Sequence, residues 1–365
     1  MTRPQSGVQG MPSGTPAAAP AQQGGTLAGA LSGVPPEFAQ ALRELGLADD
    51  TTLLVGAPLT GGVSSDIWRI DNTLRGAVCA KRALERLRVA ADWRAPISRN
   101  LYESRWMQAA DAAVPGCTPQ VLGQHRALGV LVMSYLPDAD HPGWKGQLRN
   151  GRADVATARA VGATLPRIHA YSAARPALAA QFDTDAIFFD IRLEPYLVAT
   201  AAKHPDLAPR LHALVAQTQA NKRALVHGDV SPKNILVGPR GPVLLDAECA
   251  WWGDPAFDIA FCANHLLLKC LWYPAAARGF LACFDALADA YLGGVDWEPR
   301  EGLEGRAAAL LPGLLLARVD GKSPVEYLGA EAQRETVRRA ARALLATPVG
   351  HIAEVGATWR REIEA

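Results

Sequence analysis

Between Leu225 and Asp258 the chain reads Leu-Val-His-Gly-Asp-Val-Ser-Pro-Lys-Asn-Ile-Leu-Val, a Gly-Pro-Arg-Gly-Pro turn, then Val-Leu-Leu-Asp-Ala-Glu-Cys-Ala-Trp-Trp-Gly-Asp-Pro-Ala-Phe-Asp. Ala224–Val226 is a short β-like run that delivers Asp229 just past its end. The apolar runs Ile235–Val237 and Val243–Leu245, separated by Gly and Pro, predict a β-hairpin. That hairpin returns Asp246 beside Asn234, and the interval from Asp229 to Asn234 lets the chain turn so that both side chains face one cleft. Such a set suits phosphoryl transfer: Asp229 for the attacking hydroxyl, Asn234 and Asp246 for magnesium, a hard cation that takes oxygen ligands and keeps waters. Glu248, two residues on, can reach the same or a second ion. Taken singly, these residues are ordinary turn formers or surface charges. Their order and spacing carry the reading.

The run resembles the superfamily of aminoglycoside phosphotransferases, choline kinases and methylthioribose kinases, from its His-Gly-Asp start to its Gly-Asp-Pro-Ala-Phe-Asp end. The resemblance extends over about residues 50 to 330. It implies an α+β, bilobal protein-kinase-like fold, with a small β-rich lobe, a larger helical lobe, and the nucleotide in the cleft. It also implies ATP with Mg2+, a small-molecule hydroxyl acceptor, and His227 and Asp258 as braces of the catalytic loop. The boundaries expected are a Pro/Gly/Ala-rich tail over 1–36, an amino-terminal lobe over 37–136 and a helical lobe over 137–365.

Within the smaller lobe, Leu59-Thr60-Gly61-Gly62-Val63-Ser64-Ser65 lies between two β-like stretches. Gly61, Gly62, Ser64 and Ser65 are small enough for backbone N–H groups to approach phosphate oxygens. Ser65 stands where the family often has Asn. Ala77–Lys81 is an apolar strand ending in what looks like the family's phosphate-binding lysine; an edge-strand lysine is the ordinary alternative. Alternation puts Cys79 and Lys81 on one face, Cys79 against the adenine. Arg99–Ala113 has helical character, with Tyr102, Trp106, Ala109 and Ala113 near one face. Glu103 from that helix is the candidate partner of Lys81, against the alternative of an exposed pairing with Arg99 one turn back. Gly129–Met133 reads as a buried strand entering Ser134-Tyr135-Leu136-Pro137, which resembles the hinge between lobes. The family pattern makes Ser134 and Leu136 the adenine contacts and Met133 the rear wall.

From Arg152 onward the chain turns helix-rich. Ala153–Ser172 is a helix that Pro166 should kink, with His169 structural. Further helices are expected from about Leu178, Leu193 and Leu207, then over Phe257–Tyr291, Glu304–Leu316 and Ala330–Leu345. Lys233, unusual before Asn234, is read as solvent-facing. The acceptor is less legible. Asp254, Asp258, Asp285, Asp289, Asp296 and Glu298 offer carboxylates for a cationic aminoglycoside. The loop beginning at Arg318-Val319-Asp320-Gly321-Lys322 offers Arg318 and Lys322 to an anionic or polyhydroxyl substrate. The Asp-Ala-Glu-Cys-Ala-Trp-Trp-Gly segment looks more like methylthioribose kinase, so a sugar or amino-alcohol acceptor is favoured over an antibiotic. A protein kinase would need an Ala-Pro-Glu type anchor after Asp246. A non-catalytic nucleotide-binding module would be expected to have lost Asp229, Asn234, Asp246 or Lys81.

Composition agrees. With 37 basic and 36 acidic side chains the formal charge is +1, so no strong field is available for a nucleic acid or an anionic membrane. The six cysteines show no metal-binding spacing and are expected reduced, buried and cytoplasmic. The first 36 residues hold six prolines, seven glycines and one charged side chain, Arg3, which predicts disorder. No secretory pattern opens the chain, and the apolar stretch Ala307–Ala317 is too short to span a bilayer.

Overall fold

In a computed structural model, described over residues 32–59, 64–86 and 96–364, the sheet and its first helix divide the labour by strand alternation. Strand β1 (Ser32–Gly33), helix α1 (Pro36–Glu44), β2 (Val55–Pro58), β3 (Ser65–Thr73), β4 (Gly76–Ala83), helix α2 (Arg99–Ala113), β5 (Val121–His125) and β6 (Val130–Ser134) come first. The strands form an antiparallel sheet in the order β1-β2-β3-β4-β6-β5. Val78 and Ala80 of β4 and Val130 and Val132 of β6 point one way, into a small core with Phe38, Ala41 and Leu42 of α1. Burying an aromatic or leucine there contributes about 1.5–3 kcal/mol each. Their neighbours Cys79, Lys81, Leu131 and Met133 face the other way, with Cys79 paired to Met133 and Lys81 to Leu131.

The β-like stretch after the Gly-Gly loop falls on β3, and the two apolar strands fall on β4 and β6, whereas the stretch before that loop is irregular until Val55 opens β2. Ser32–Gly33, which the sequence assigned to the tail, pairs with Val55–Gly56 as a short edge strand. Gly61 and Gly62 lie outside the described residues.

The rest is mainly helical. It runs α3 (Trp144–Arg149), α4 (Val155–Ala173), the 3-10 turn Pro176–Gln181, α5 (Asp185–Phe188), the π-helical stretch Phe189–Val198, α6 (Ala199–Lys203) and α7 (Ala208–Ala220). Strands β7 (Ala224–Val226), β8 (Ile235–Gly238), β9 (Gly241–Leu244) and β10 (Trp251–Gly253) follow, and then α8 (Ala256–Trp272), α9 (Ala277–Gly293), α10 (Arg300–Asp320), α11 (Glu331–Ala346) and α12 (Ile352–Glu364). Asp154 caps α4 by accepting from the Ala156 N–H at 3.0 Å. Pro166 sits inside this helix without ending it. At Gly162 a Cβ would stand 2.3 Å from the Leu287 carbonyl oxygen, so glycine lets α4 and α9 pack closely.

Three expected boundaries move. Phe257–Tyr291 is two helices, α8 and α9, broken around Pro274. The helix expected from Leu178 is a short 3-10 turn. Arg318, expected in a loop, belongs to the last turn of α10. No helix of the described residues is long and apolar enough to cross a membrane.

Candidate active site

The segment from Leu225 to Asp258 folds as its spacing predicts. Strand β7 pairs antiparallel with β10, and β8 with β9. The Leu245 N–H donates to the Asn234 carbonyl at 2.9 Å, carrying Asp246 out beside Asn234. Asp246 has φ +64°, a left-handed conformation that costs free energy in a residue with a Cβ. Gly228 has φ +77°, and a Cβ there would stand 2.7 Å from the Cys249 carbonyl oxygen; no residue but glycine fits between His227 and Asp229.

Asp258 accepts from the His227 and Gly228 N–H groups, both at 2.8 Å, and lies 3.2 Å from His169 Nε2. His227 accepts from the Asp229 N–H at Nδ1 (3.1 Å) and donates from Nε2 to the Leu245 carbonyl (3.0 Å), which sets a neutral tautomer. Burial pushes its pKa below the ordinary value, outweighing the carboxylates nearby. Trp106 of α2 meets the His227 ring edge-on, with centroids 4.6 Å apart.

The two halves of the chain meet at Lys81. Lys81 is 3% exposed, and its ammonium lies 2.8 Å from Glu103 Oε2 and is also hydrogen-bonded to Asp246. Burial alone would favour a neutral lysine, but the Asp246 and Glu103 charges win and raise its pKa. Burial works against ionised Asp246 as well, and Lys81 followed by Lys233 holds its carboxyl well below the ordinary range. Burial raises Glu103 to about 7, with Lys81 opposing only part of that cost.

Glu103 therefore faces Lys81, and Arg99 is engaged elsewhere. Its Nε donates to Glu248 Oε2 at 3.0 Å, and its Nη2 to the carbonyls of Ser64 and Leu84, each at 2.6 Å. Helix α2 thus turns Arg99, Asn100, Glu103, Trp106, Met107 and Ala110 inward; Tyr102, Ala109 and Ala113 are only partly buried. The apolar pattern misplaced this face because half of what it buries is polar.

Asp229 has partners that the sequence did not suggest. Arg192 of the π-helical stretch approaches its Oδ2 at 2.9 Å and also donates to the Gly228 carbonyl; Lys233 approaches the same oxygen at 3.1 Å. Lys233 is exposed over half of its side chain, as the solvent-facing reading expects, and it also forms an ion pair with Asp229. Burial raises the Asp229 pKa, but Arg192 and Lys233 outweigh it and hold the carboxylate ionised. A signal for Arg192 did exist: a single arginine amid Ile191, Leu193, Pro195 and Leu197.

The remaining residues separate. Ser64 and Ser65 are buried at the mouth of β3, and the Ser65 hydroxyl finds no partner among the described residues. Ser134 exchanges hydrogen bonds with Gln120, at 2.9 Å through its N–H and 3.0 Å through its Oγ. Leu136 follows, half-buried, in the connection to α3. Lys322 is ion-paired to Glu194 and half-exposed, whereas Arg318 is 9% exposed and bonded to the Tyr196 hydroxyl. Asp254 and Glu298 are both taken by Arg306, and Asp285 by Arg360. A cavity of about 490 Å³ lined by Asp285, Asp289, Glu301, Glu304 and His351 shares no residue with the cluster around Lys81 and Asp229.

The sequence model of the phosphotransferase enzyme family matches residues 55–269, more than half of the chain. The chain belongs to that family. The match spans Lys81, Glu103, Asp229, Asn234 and Asp246 alike, and bears out the expected small-molecule phosphotransferase class. The chain is similar to methylthioribose kinase of Citrobacter koseri, 26% identical over 279 residues, 67% of each chain. It is similar also to methylthioribose kinase of Cronobacter sakazakii, 26% identical over 221 residues, 53% of this chain and 54% of that one. It thus spans between about half and two thirds of these curated relatives. The choline kinase structure from Cryptosporidium parvum Iowa II superposes with a TM-score of 0.52 at 10% identity, over 86% of this chain and 97% of that one. That likeness is one of fold and agrees with the expected kinase-like α+β architecture.

Proposed function

We propose that this phosphotransferase moves the γ-phosphoryl of ATP to a hydroxyl of a small, sugar-like metabolite. The observation that carries the reading is Lys81, buried between Glu103 and Asp246, with Asn234 beside Asp246 and Asp229 on the same loop. Asp229 orients the acceptor hydroxyl and takes its proton late, as befits a loose transition state. Lys81 neutralises charge on the α- and β-phosphates, and Glu103 keeps it in place. Positioning and electrostatics account for most of the rate. Ser64, Ser65 and the glycines before them cover the phosphates; Cys79, Met133, Ser134 and Leu136 bound the adenine. The sheet with α1 and α2 acts as one lobe, and the chain after the hinge as the other. His227 and Asp258 support the loop without touching substrate.

The donor set fits magnesium. Asn234 donates through Nδ2 to the Asp229 carbonyl at 3.1 Å, which leaves its amide oxygen for a cation, and Asp246 adds a carboxylate. Among the described residues no three His, Cys, Asp or Glu side chains gather into a metal cage. An ion that draws its other oxygens from phosphates and water suits such a sparse set. Bound there by Asn234 and Asp246, with Glu248 adding negative charge, magnesium would neutralise the phosphate oxygens.

The methylthioribose kinase likeness favours a sugar-like acceptor. An aminoglycoside acceptor is disfavoured because Asp254, Glu298 and Asp285 are already paired with arginines. A cytoplasmic setting supplies ATP and suits six free thiols. The test is incubation of the purified chain with γ-labelled ATP, magnesium and a panel of sugars, sugar acids, amino alcohols and aminoglycosides. A labelled small molecule is expected; label confined to the protein would contradict the proposal.

A further inference from the structure

Beside the catalytic loop, α8 and α10 carry Lys269, Arg318 and His265, none of which forms an ion pair among the described residues. Lys269 is 1% exposed, with its Nζ 4.4 Å from the centre of the Trp272 ring and 4.3 Å from that of Tyr327. Among the described residues it meets no carboxylate within ion-pair distance and no hydrogen-bond acceptor. Arg318 bonds neutral partners through Nη1, the Tyr196 hydroxyl at 3.1 Å and Ser323, and its buried Nε has none among the described residues. His265, one turn before Lys269, is 7% exposed, and its ring finds no hydrogen-bond partner among the described residues. Glu326 lies within electrostatic range of Lys269 and Arg318 but is hydrogen-bonded to Lys145. Burial and the neighbouring cations push Lys269 down to about 7 and hold His265 neutral.

This cluster is continuous with Asp229. The Arg192 guanidinium that holds Asp229 lies 5.9 Å from the centre of the Tyr196 ring and 5.6 Å from that of Phe261. Arg318 lies 5.6 Å from the same Tyr196 ring, and His265 meets Phe261 edge-on at 5.4 Å. Unpaired buried cations are costly for a fold to keep. Arg318 and His265 are separated from the Arg192–Asp229 pair only by the Tyr196 and Phe261 rings, and a ligand that spans this distance supplies a reason to keep them.

We propose that Arg318 and Lys269, with His265 beside them, form an anion subsite for the acceptor: the hydroxyl compound presented to Asp229 carries a carboxylate or phosphate group. This rests on the phosphoryl-transfer reading above. In that step the acceptor oxygen bonds to the γ-phosphorus, the bond to the β,γ-bridging oxygen breaks, ADP departs with its electron pair, and the hydroxyl proton passes to Asp229. The anionic group takes no part in bond making. It fixes which hydroxyl faces Asp229, so Arg318 and Lys269 are positioning residues.

Two measurements on the full chain test the subsite. In the first, Lys269 is labelled with an amine-reactive ester in the presence of ADP and magnesium and followed by peptide mass spectrometry. Gluconate, glycerate or glycerol 3-phosphate is expected to slow the labelling, and glucose or glycerol to leave it unchanged. The carboxylate and phosphate members of the set distinguish the two anion types. Arg318→Met should abolish the protection and Lys322→Met should preserve it. No protection by any of the three anions, or equal protection by the neutral compounds, overturns the subsite. In the second, Arg318→Met is expected to raise KM for an accepted anion by about thirtyfold, the cost of removing one partner of a buried charge pair, with KM for ATP unchanged. Efficient transfer to a neutral or cationic acceptor, indifferent to Arg318→Met, overturns the subsite and leaves phosphoryl transfer standing. Protection without any transfer by the parent enzyme supports the subsite and counts against the proposed function.

Discussion

Arg192 Nη2 lies 2.9 Å from Asp229 Oδ2, and the two side chains are 7% and 6% exposed. In the proposed reaction Asp229 is the carboxylate that the acceptor hydroxyl approaches. Removing the arginine leaves a buried carboxylate with only Lys233 to offset it, at a cost on the order of 3–5 kcal/mol. Burial then dominates, and the Asp229 pKa rises. Arg192→Met is expected to lower kcat and to move the acidic limb of the kcat/KM profile to higher pH, so that the loss is larger at pH 6 than at pH 8. An unshifted limb would mean that Arg192 supports the fold but does not tune Asp229.

Magnesium dependence separates two neighbouring carboxylates. Asp246 is the strong anionic ligand assigned to the ion, whereas Glu248 is held by Arg99 at 3.0 Å. Asp246→Ala should remove most of the metal-dependent affinity for ATP in calorimetry, and Glu248→Ala much less. Equal losses would make Glu248 an essential ligand too.

On the proposed reading Cys79 lies against the adenine. It faces the same side of β4 as Lys81, opposite Met133, and burial pushes its thiol up to about 12. ATP with magnesium should slow its alkylation, followed by peptide mass spectrometry, more than that of Cys262, Cys270 and Cys283. If the free protein reacts at Cys79 and saturating nucleotide leaves the rate unchanged, the adenine lies elsewhere.

Two buried histidines give stability a pH dependence. His227 and His265 have pKa values lowered by burial, in His265 also by Arg318 and Lys269, from an unperturbed 6.5. Below that value the unfolded chain binds protons that the native state does not, so stability falls as pH drops, by up to about 1.4 kcal/mol per pH unit for each histidine. Urea unfolding at pH 7.5 and pH 5.5 should show this decline, and His265→Phe should flatten it. An unchanged slope in that variant would place His265 outside the titration.

How much of this was legible in the sequence depends on how local each feature is. The hairpin from Ile235 to Leu244, Asp246 beside Asn234, and the face shared by Cys79 and Lys81 follow from turn residues and strand alternation, and the structure has them. The Lys81–Glu103 pair crosses 22 positions, yet it is legible because apolar spacing marks the helix and the family resemblance calls for a glutamate from it. Arg192 and the Arg99–Glu248 pair had no such guide. Arg192 sits in a π-helical stretch without a regular period, and the buried face of α2 carries charge where a pattern search expects apolar residues. Arg318 is legible in the sequence, but as a loop residue; only the packing of α8 against α10 brings Lys269 and His265 to the same part of the fold.

The central assignment is that Asp229 serves the acceptor and not the nucleotide. Asp229→Asn is isosteric and leaves Lys81, Glu103, Asn234 and Asp246 in place. The measurement is transfer of labelled γ-phosphoryl to the acceptor under single-turnover conditions, alongside calorimetry of ATP and magnesium binding. The expected result is transfer reduced by about 10³-fold or more, with nucleotide affinity within a few-fold of the parent enzyme. Transfer at nearly the parent rate, or loss of ATP binding together with transfer, would contradict the assignment.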